Sequence, residues 1–241
     1  MKKLIGVSVL SVSLVLTGTP ISYANTNDLP YVNEILALQP NVTEKELLKD
    51  VESISKNSGD TKEAILEQLF NELQQDKSQG LAERKVQARG GGGGTVEVGK
   101  GVKGQIYYTA SETAYLNHGH VGMFYNVENV VESIPKEGVR KRHYTKRLVD
   151  KGDAQVRSVN TTTAKRNAAA DWAYSRVGKD DYSYNFATNR KTDHYGDKNC
   201  AKLVWSAYKL KSGLDLDKDK GSGVYPRDVR DAKDTTLVRK I

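Results

Sequence analysis

The chain has 241 residues, 37% hydrophobic and 28% charged, with 37 Lys+Arg against 30 Asp+Glu for a formal net charge of +7. Those proportions exclude wholesale disorder and fit one ordinary domain with a smaller unit beside it. A single cysteine excludes an intramolecular disulfide and a cysteine-rich zinc cage.

Taken in chain order, Met1-Lys2-Lys3 is a short positive start. Leu4 to Leu16 is an apolar run of 13 residues, and Ser22-Tyr23-Ala24 offers small residues around a cleavage point. Residues 1–24 therefore read as a secretory signal peptide, the apolar run being shorter than the ~20 residues a membrane helix needs. A secreted, extracellular protein is expected. Charge then divides unevenly. Residues 25–89 hold 8 basic and 12 acidic side chains, for −4, and residues 95–241 hold 27 and 18, for +9.

Residues 25–89 read as helices. Thr43 with Glu46 forms a capping box ahead of Leu47, Leu48, Val51 and Ile54 at helical spacing. Asp60 with Glu63 opens a second helix carrying Ile65, Leu66, Leu69, Phe70 and Leu73. So small a helical unit buries too little apolar surface to stand alone, so it is expected to lean on its neighbour. Arg84-Lys85 and Arg89 lead into Gly90 to Gly94, a flexible, protease-exposed linker. Two readings of 25–89 stay open: a pro-segment docked by charge on the basic domain, and a wall-spacing or partner-binding helical pair.

From residue 95 the chain turns to short strands at Gln105–Thr109, His120–Tyr125, Val130–Ile134 and Gln155–Val159. A helix over Thr163–Val177 follows, then a Tyr-rich loop, then a helix that begins at Cys200 and stops at Ser212-Gly213. Strands and helices in separate blocks predict an α+β domain over 95–241, a modest antiparallel sheet with helices on one side.

Cys200 is the most informative residue. An odd thiol in a secreted chain is either a small buried hydrophobe or a nucleophile. The start of an amphipathic helix favours thiolate and leaves backbone N–H groups free for an oxyanion. His120, on a strand in Asn117-His118-Gly119-His120-Val121-Gly122-Met123, is the candidate base. Glu132, twelve residues on and by pattern in the returning strand, is the candidate orienting carboxylate. A carboxylate in an apolar strand needs a partner or a solvent face. His143 and His194 lie in polar stretches and read as surface residues.

These residues resemble the NlpC-type cysteine hydrolases. The order histidine, glutamate, cysteine resembles their circularly permuted, YiiX-like branch of the papain fold, in which the cysteine helix comes last. Gly104-Gln105-Ile106 is similar to that branch's opening Gly-Asp-Ile strand, and Val177-Gly178-Lys179-Asp180-Asp181-Tyr182-Ser183-Tyr184-Asn185-Phe186 to its tyrosine loop. The resemblance covers about residues 99–232. It implies Cys200 as nucleophile, His120 as general base and acid, Glu132 as orienting group and Tyr182 as an oxyanion donor. Gln105 in place of aspartate, Asp180-Asp181 in place of proline, and Ala201 in place of serine depart from the family pattern. The loop departure bears on the register of Tyr182.

The resemblance, together with expected secretion, implies thiol-dependent cleavage of amide bonds in cell-wall peptides, with no cofactor and no resident metal. A lipid amide or ester hydrolase or acyltransferase is the alternative on the same fold, and a non-catalytic wall-binding protein the alternative of another class. The +9 domain is expected to be drawn to an anionic wall polymer or membrane surface, weakened by salt. No phosphate loop or nucleic-acid module is present. Zinc held by His118, His120 and Cys200 lacks a clear further ligand. Asp215-Leu216-Asp217-Lys218-Asp219-Lys220-Gly221 imitates the start of a calcium loop, but its glycine is one position late and Pro226 stands where the closing glutamate belongs, which favours a polar turn. Arg140-Lys141-Arg142 and Lys146-Arg147 form a basic stretch that reads as a solvated strand edge.

Overall fold

A computed structural model describes residues 29–89, 94–110 and 118–241. The expected signal peptide (1–24) and all but the last residue of the expected glycine linker lie outside the described residues. The first unit is three helices, α1 (Val32–Leu38), α2 (Glu44–Ser58) and α3 (Lys62–Arg89). Thr43 and Glu46 make the expected capping box at α2, and Gly59 ends that helix in the left-handed region at φ 82°. At α3 the cap is Thr61, whose hydroxyl accepts from the Ala64 amide at 3.2 Å, rather than Asp60. Asp60 instead takes part in the turn, its backbone carbonyl accepting from Ser55. Most of the predicted stripe is buried, with Leu47, Val51, Leu66 and Leu69 fully enclosed, while Leu48 and Phe70 are half-buried.

The second unit opens with β1 (Thr95–Glu97), β2 (Ile106–Thr109), β3 (His120–Phe124), β4 (Asn129–Ile134), β5 (Gly138–His143), β6 (Leu148–Asp150) and β7 (Gln155–Val159). Then come α4 (Thr163–Ser175), α5 (Cys200–Ser212), α6 (Pro226–Asp231) and β8 (Thr235–Lys240). Six strands form one antiparallel sheet in the order β5-β4-β3-β2-β7-β8. The fold is α+β, as the segregated strand and helix blocks require. Alternation along the strands sends Ile106, Val121, Met123 and Val131 into the main core with α4 and α5. Tyr107, Phe124, Val130 and Val156 go to the opposite face, where Val98, Val149 and Ala154 cover them. So the sheet has a second small core, supported by the β1–β6 ribbon, rather than a solvated outer face.

Pattern reading misses α1, β1 and β6, which are short, and also β5, α6 and β8, each for its own physical reason. β5 reads Gly-Val-Arg-Lys-Arg-His, and its charges mask its alternation. α6 has six residues, too few to show a period. β8 gains its place from pairing with β7 across a bulge at Val156/Arg157.

The helical unit meets the sheet unit through its acids. Glu72 accepts from the Ser222 and Gly223 amides at 2.9–3.0 Å. Asp76 pairs with Arg227 at 2.8 Å, and Glu83 with Arg230 at 2.7 Å and Arg227 at 3.1 Å. Nearer the N-terminus, the Gln39 side chain accepts from the Phe186 amide at 2.8 Å, and Asp50 accepts from the Thr188 hydroxyl at 2.6 Å and the Asn185 amide at 3.0 Å. Asp76 and Arg227 are buried, so this pair is shielded from salt far more than a surface pair is. Among the described residues no helix is long and apolar enough to cross a membrane.

Candidate active site

Cys200 is the first residue of α5 and is fully buried. Asn199 caps the helix, its side-chain oxygen accepting from the Lys202 amide at 2.9 Å. That leaves the Cys200 amide, one of the first-turn donors without an intrahelical acceptor, beside its own sulfur. Asn199 is itself held by Asn189, 3.2 Å away, and by the carbonyl of Asn185. The cap is thus tied to the loop before α5 as well as to the helix.

His120 begins β3. Backbone pairing between β3 and β4 is confined to Met123↔Val131 and Phe124↔Val130. Past that point the two strands are joined through side chains: His120 Nε2 lies 2.8 Å from Glu132 Oε2. With Nε2 committed there, Nδ1 is the ring nitrogen left to meet the Cys200 sulfur. Burial works against a charged ring. The sulfur as thiolate and the hydrogen bonds to Cys200 and Glu132 outweigh both burial and the Arg147 charge, so His120 titrates above the ordinary 6.5.

Glu132 is fully buried, and its two oxygens divide the work of keeping it ionised. Arg140, directly opposite it in the β4–β5 ladder, donates twice to Oε1 at 2.9 and 2.8 Å. Oε2 receives His120, the Tyr107 hydroxyl at 2.6 Å and Arg147 at 2.8 Å. Burial alone raises a carboxyl, but here the His120 bond and charge, then Arg147 and Tyr107, hold Glu132 well below the usual carboxylate range. Arg140 is therefore an interior ligand of Glu132 and not the solvated edge its sequence setting suggests. Arg147, which the same solvated reading covered, is likewise drawn in against Glu132, and Tyr107 was not singled out by sequence reading. Arg147 is fifteen residues past Glu132 with no periodic relation to it, whereas Arg140 sits at hairpin spacing and could have been found.

Gly122 makes room for Tyr107. A Cβ at 122 would stand 2.5–2.6 Å from the tyrosine ring and hydroxyl. Gly122→Ala is expected to push Tyr107 off Glu132 and His120. Overpacking of this kind destabilises by roughly 1–3 kcal/mol. Urea denaturation beside a turnover assay checks both parts: the midpoint falls and activity falls further than the loss of folded protein explains.

Tyr182 lies in the loop before α5, and its register there was open. Its hydroxyl is buried and has no hydrogen-bond partner. Burial, then the charge on Cys200, push its pKa far up, which keeps the phenol a donor. An unpartnered buried donor costs free energy unless something arrives to accept from it. The cleft on this side, of about 470 Å³, is lined by Tyr182, Tyr184, Asn199 and Lys202 and, across from them, by Asn41, Glu46 and Asp50 of the helical unit.

The remaining candidates separate. Gly119 has φ +73°, which breaks the strand before it, so His118 turns away from His120 to bond Asp76 and stack on Phe186 at 4.4 Å between ring centres. The two imidazoles do not share a site, and the zinc reading fails on that geometry. His143 is exposed as expected. His194 is half-buried, its Nδ1 2.9 Å from the Ser206 hydroxyl. Asp215 is occupied by Arg190, Lys209 and the Trp205 indole N–H.

A buried thiol at a helix start, a histidine bonded to it and a carboxylate behind the histidine are the parts of a papain-like thiol hydrolase. Residues 105–234 match the family described as permuted papain-like amidase enzymes, YaeF/YiiX, C92. The chain belongs to that family and is a thiol-dependent hydrolase of the amidase class. It is 43% identical over 242 residues to the uncharacterized protein YycO of Bacillus subtilis (strain 168), covering 98% of this chain and 97% of that protein, so the likeness includes the helical unit. A solved structure titled the metalloprotein yiiX from Escherichia coli O157:H7 is 19% identical, covers 59% of this chain and 98% of its own, and superposes with a TM-score of 0.44.

Proposed function

We propose that this chain is a secreted cysteine amidase that cuts amide bonds in the peptide part of the bacterial cell wall, with Cys200, His120 and Glu132 as its triad. The observation that carries the reading is the joint placement of the Cys200–His120–Glu132 series and the unpartnered Tyr182 hydroxyl at the N-terminus of α5. The Cys200 thiolate attacks the carbonyl carbon, and a C–S bond forms as the carbonyl oxygen takes the negative charge. The Cys200 N–H and the Tyr182 O–H donate to that oxygen. His120, as imidazolium, gives its proton to the departing amine, the C–N bond breaks, and a thioester remains. Water then attacks the thioester while His120 takes its proton; the acid leaves and the thiolate–imidazolium pair is restored.

The wall substrate is supported by the expected signal peptide, by the family's amidase chemistry and by the +9 charge of residues 95–241, which favours anionic surroundings. The test is release of new amino groups from purified wall fragments. The native chain releases them, and Cys200→Ala lowers the rate by about 10⁴ or more, as loss of a nucleophile does. Acyl release from lipid amides or esters with no action on wall peptides would replace the substrate class. Unchanged binding and biological effect in Cys200→Ala would replace the enzyme with a wall-binding protein.

A further inference from the structure

Past the end of α5, three carboxylates converge beside α6. Oxygens of Asp217, Asp219 and Asp228 all lie within 4.8 Å of one another. Asp217 and Asp228 are buried and Asp219 is exposed. The Asp217 side chain has no solvent exposure, and neither of its carboxylate oxygens has a hydrogen-bond donor in bonding geometry. Arg190 Nε stands 3.0 Å from Asp217 Oδ2 but is itself without a hydrogen bond, and the same guanidinium also serves Asp215. Asp228 accepts from the Tyr225 amide at 3.1 Å, and Asp219 from the Gly221 amide at 3.0 Å, so both are oriented with an oxygen to spare. A buried carboxylate without a donor is costly unless a cation meets it.

We infer that Asp217, Asp219 and Asp228 form a calcium site. The ligands are all hard oxygens, which suit Ca²⁺, Mg²⁺ or Mn²⁺ and not zinc. Ligand type decides among them: Ca²⁺ accepts a flexible cage of several carboxylates, whereas Mg²⁺ keeps most of its waters and takes one or two carboxylates. Charge agrees: three carboxylates less one shared arginine leave about two negative charges for a divalent ion. Asp228 supplies what the loop reading of Asp215 to Gly221 lacked. The closing carboxylate comes two residues after Pro226, from the first turn of α6, while Asp215 drops out of the ligand set.

The site holds the loop that Glu72 grips at Ser222 and Gly223, and that loop continues to Val224, whose amide donates to Asn189 at 2.7 Å. Asn189 bonds the α5 cap, Asn199. Calcium would thus brace the framework of the active-site helix without touching the thiol.

The test uses the full chain, freed of metal by chelator, with CaCl₂ or MgCl₂ titrated in a calorimeter and in thermal unfolding. A saturable heat for Ca²⁺ with a dissociation constant of about 10⁻⁴–10⁻³ M, the range of extracellular calcium modules, and a matching rise in Tm are expected. Asp219→Asn, an exposed change that keeps the Gly221 bond, weakens calcium binding about tenfold or more. Asp217→Asn abolishes the response, while its Tm in chelator equals or exceeds that of the native chain because an unbalanced buried charge is gone. No heat and no Tm shift in the native chain at millimolar Ca²⁺ overturns the site. So does a shift that persists in Asp217→Asn, and a Mg²⁺ response as large as that to Ca²⁺ overturns the choice of calcium.

Discussion

Replacing Glu132 with glutamine is expected to lower kcat/KM by about 10²–10⁴, the range seen when the orienting acid of such a triad is lost. The amide keeps the volume but meets His120, Tyr107, Arg140 and Arg147 with one acceptor oxygen, where the carboxylate offered two. His120 also loses a hydrogen bond that raises its pKa, so its imidazolium is surrendered at lower pH. If imidazolium protonates the leaving amine, the alkaline limb of the rate profile, which lies above pH 6.5 in the native chain, moves downward in the variant. A pH–rate profile of both proteins on one amide substrate reads this directly. An alkaline limb that stays where it was would remove Glu132 from the role of orienting group, whatever happened to the rate.

The same substitution tests stability with a definite sign. Breaking a buried ion cluster from one side costs about 3–5 kcal/mol, here because Arg140 and Arg147 are left facing an amide. Glu132 has its folded pKa held below the ordinary 4.5, so its contribution is present above that value and is lost as pH falls towards the folded one. Urea midpoints of native and Glu132→Gln chains should therefore differ most at neutral pH and converge in acid. A gap that stays constant across that range would mean that Glu132 acts through packing alone.

Much of the candidate site is legible before any coordinates, because it rests on local signals. Cys200 begins a helix whose start is marked by Asn199 and whose end is marked by Gly213, in the left-handed region at φ 74°. His120 and Glu132 sit on short strands of strong β character, and the rule that a carboxylate among Val130, Val131 and Ile134 must find a partner leads to a real cluster. What stays hidden is whatever depends on distant segments. Arg147 reaches Glu132 from an irregular stretch, and Tyr107 takes part because Gly122 on the next strand leaves space for it. His118 illustrates the opposite error. Two histidines one residue apart suggest a shared strand face, yet the positive φ of Gly119 sends them to different partners. Asp228 joins Asp217 through a turn opened by Pro226, the residue that seemed to rule a cation out.

Loosening the helical unit at Asp50 is expected to raise the alkylation rate of Cys200 by about 5–30-fold. The sulfur is fully buried, so a reagent reaches it only when the cleft opens. One wall of that cleft is Asn41, Glu46 and Asp50, and Asp50 is fastened to the tyrosine-loop side through Thr188 and Asn185. Hydrogen bonds to a charged group contribute about 1.5–3 kcal/mol. Asp50→Ala leaves the buried Thr188 hydroxyl and the half-buried Asn185 amide, which keep their hydrogen bond to each other at 2.7 Å, so some of that is recovered. A net loss of about 1–2 kcal/mol in the closed state multiplies the open population by 5–30. A small thiol reagent measures this without any assumption about substrate. The Asp76–Arg227 and Glu83–Arg230 pairs lie on α3, whereas Asp50 is on α2, and they stay intact, so the unit remains attached while its active-site side lifts. Turnover of wall fragments rising in parallel would make residues 25–89 a pro-segment that occupies the substrate's approach. Alkylation that does not change would mean the helices only flank the cleft, and the wall-spacing or partner-binding reading of the segment would take its place.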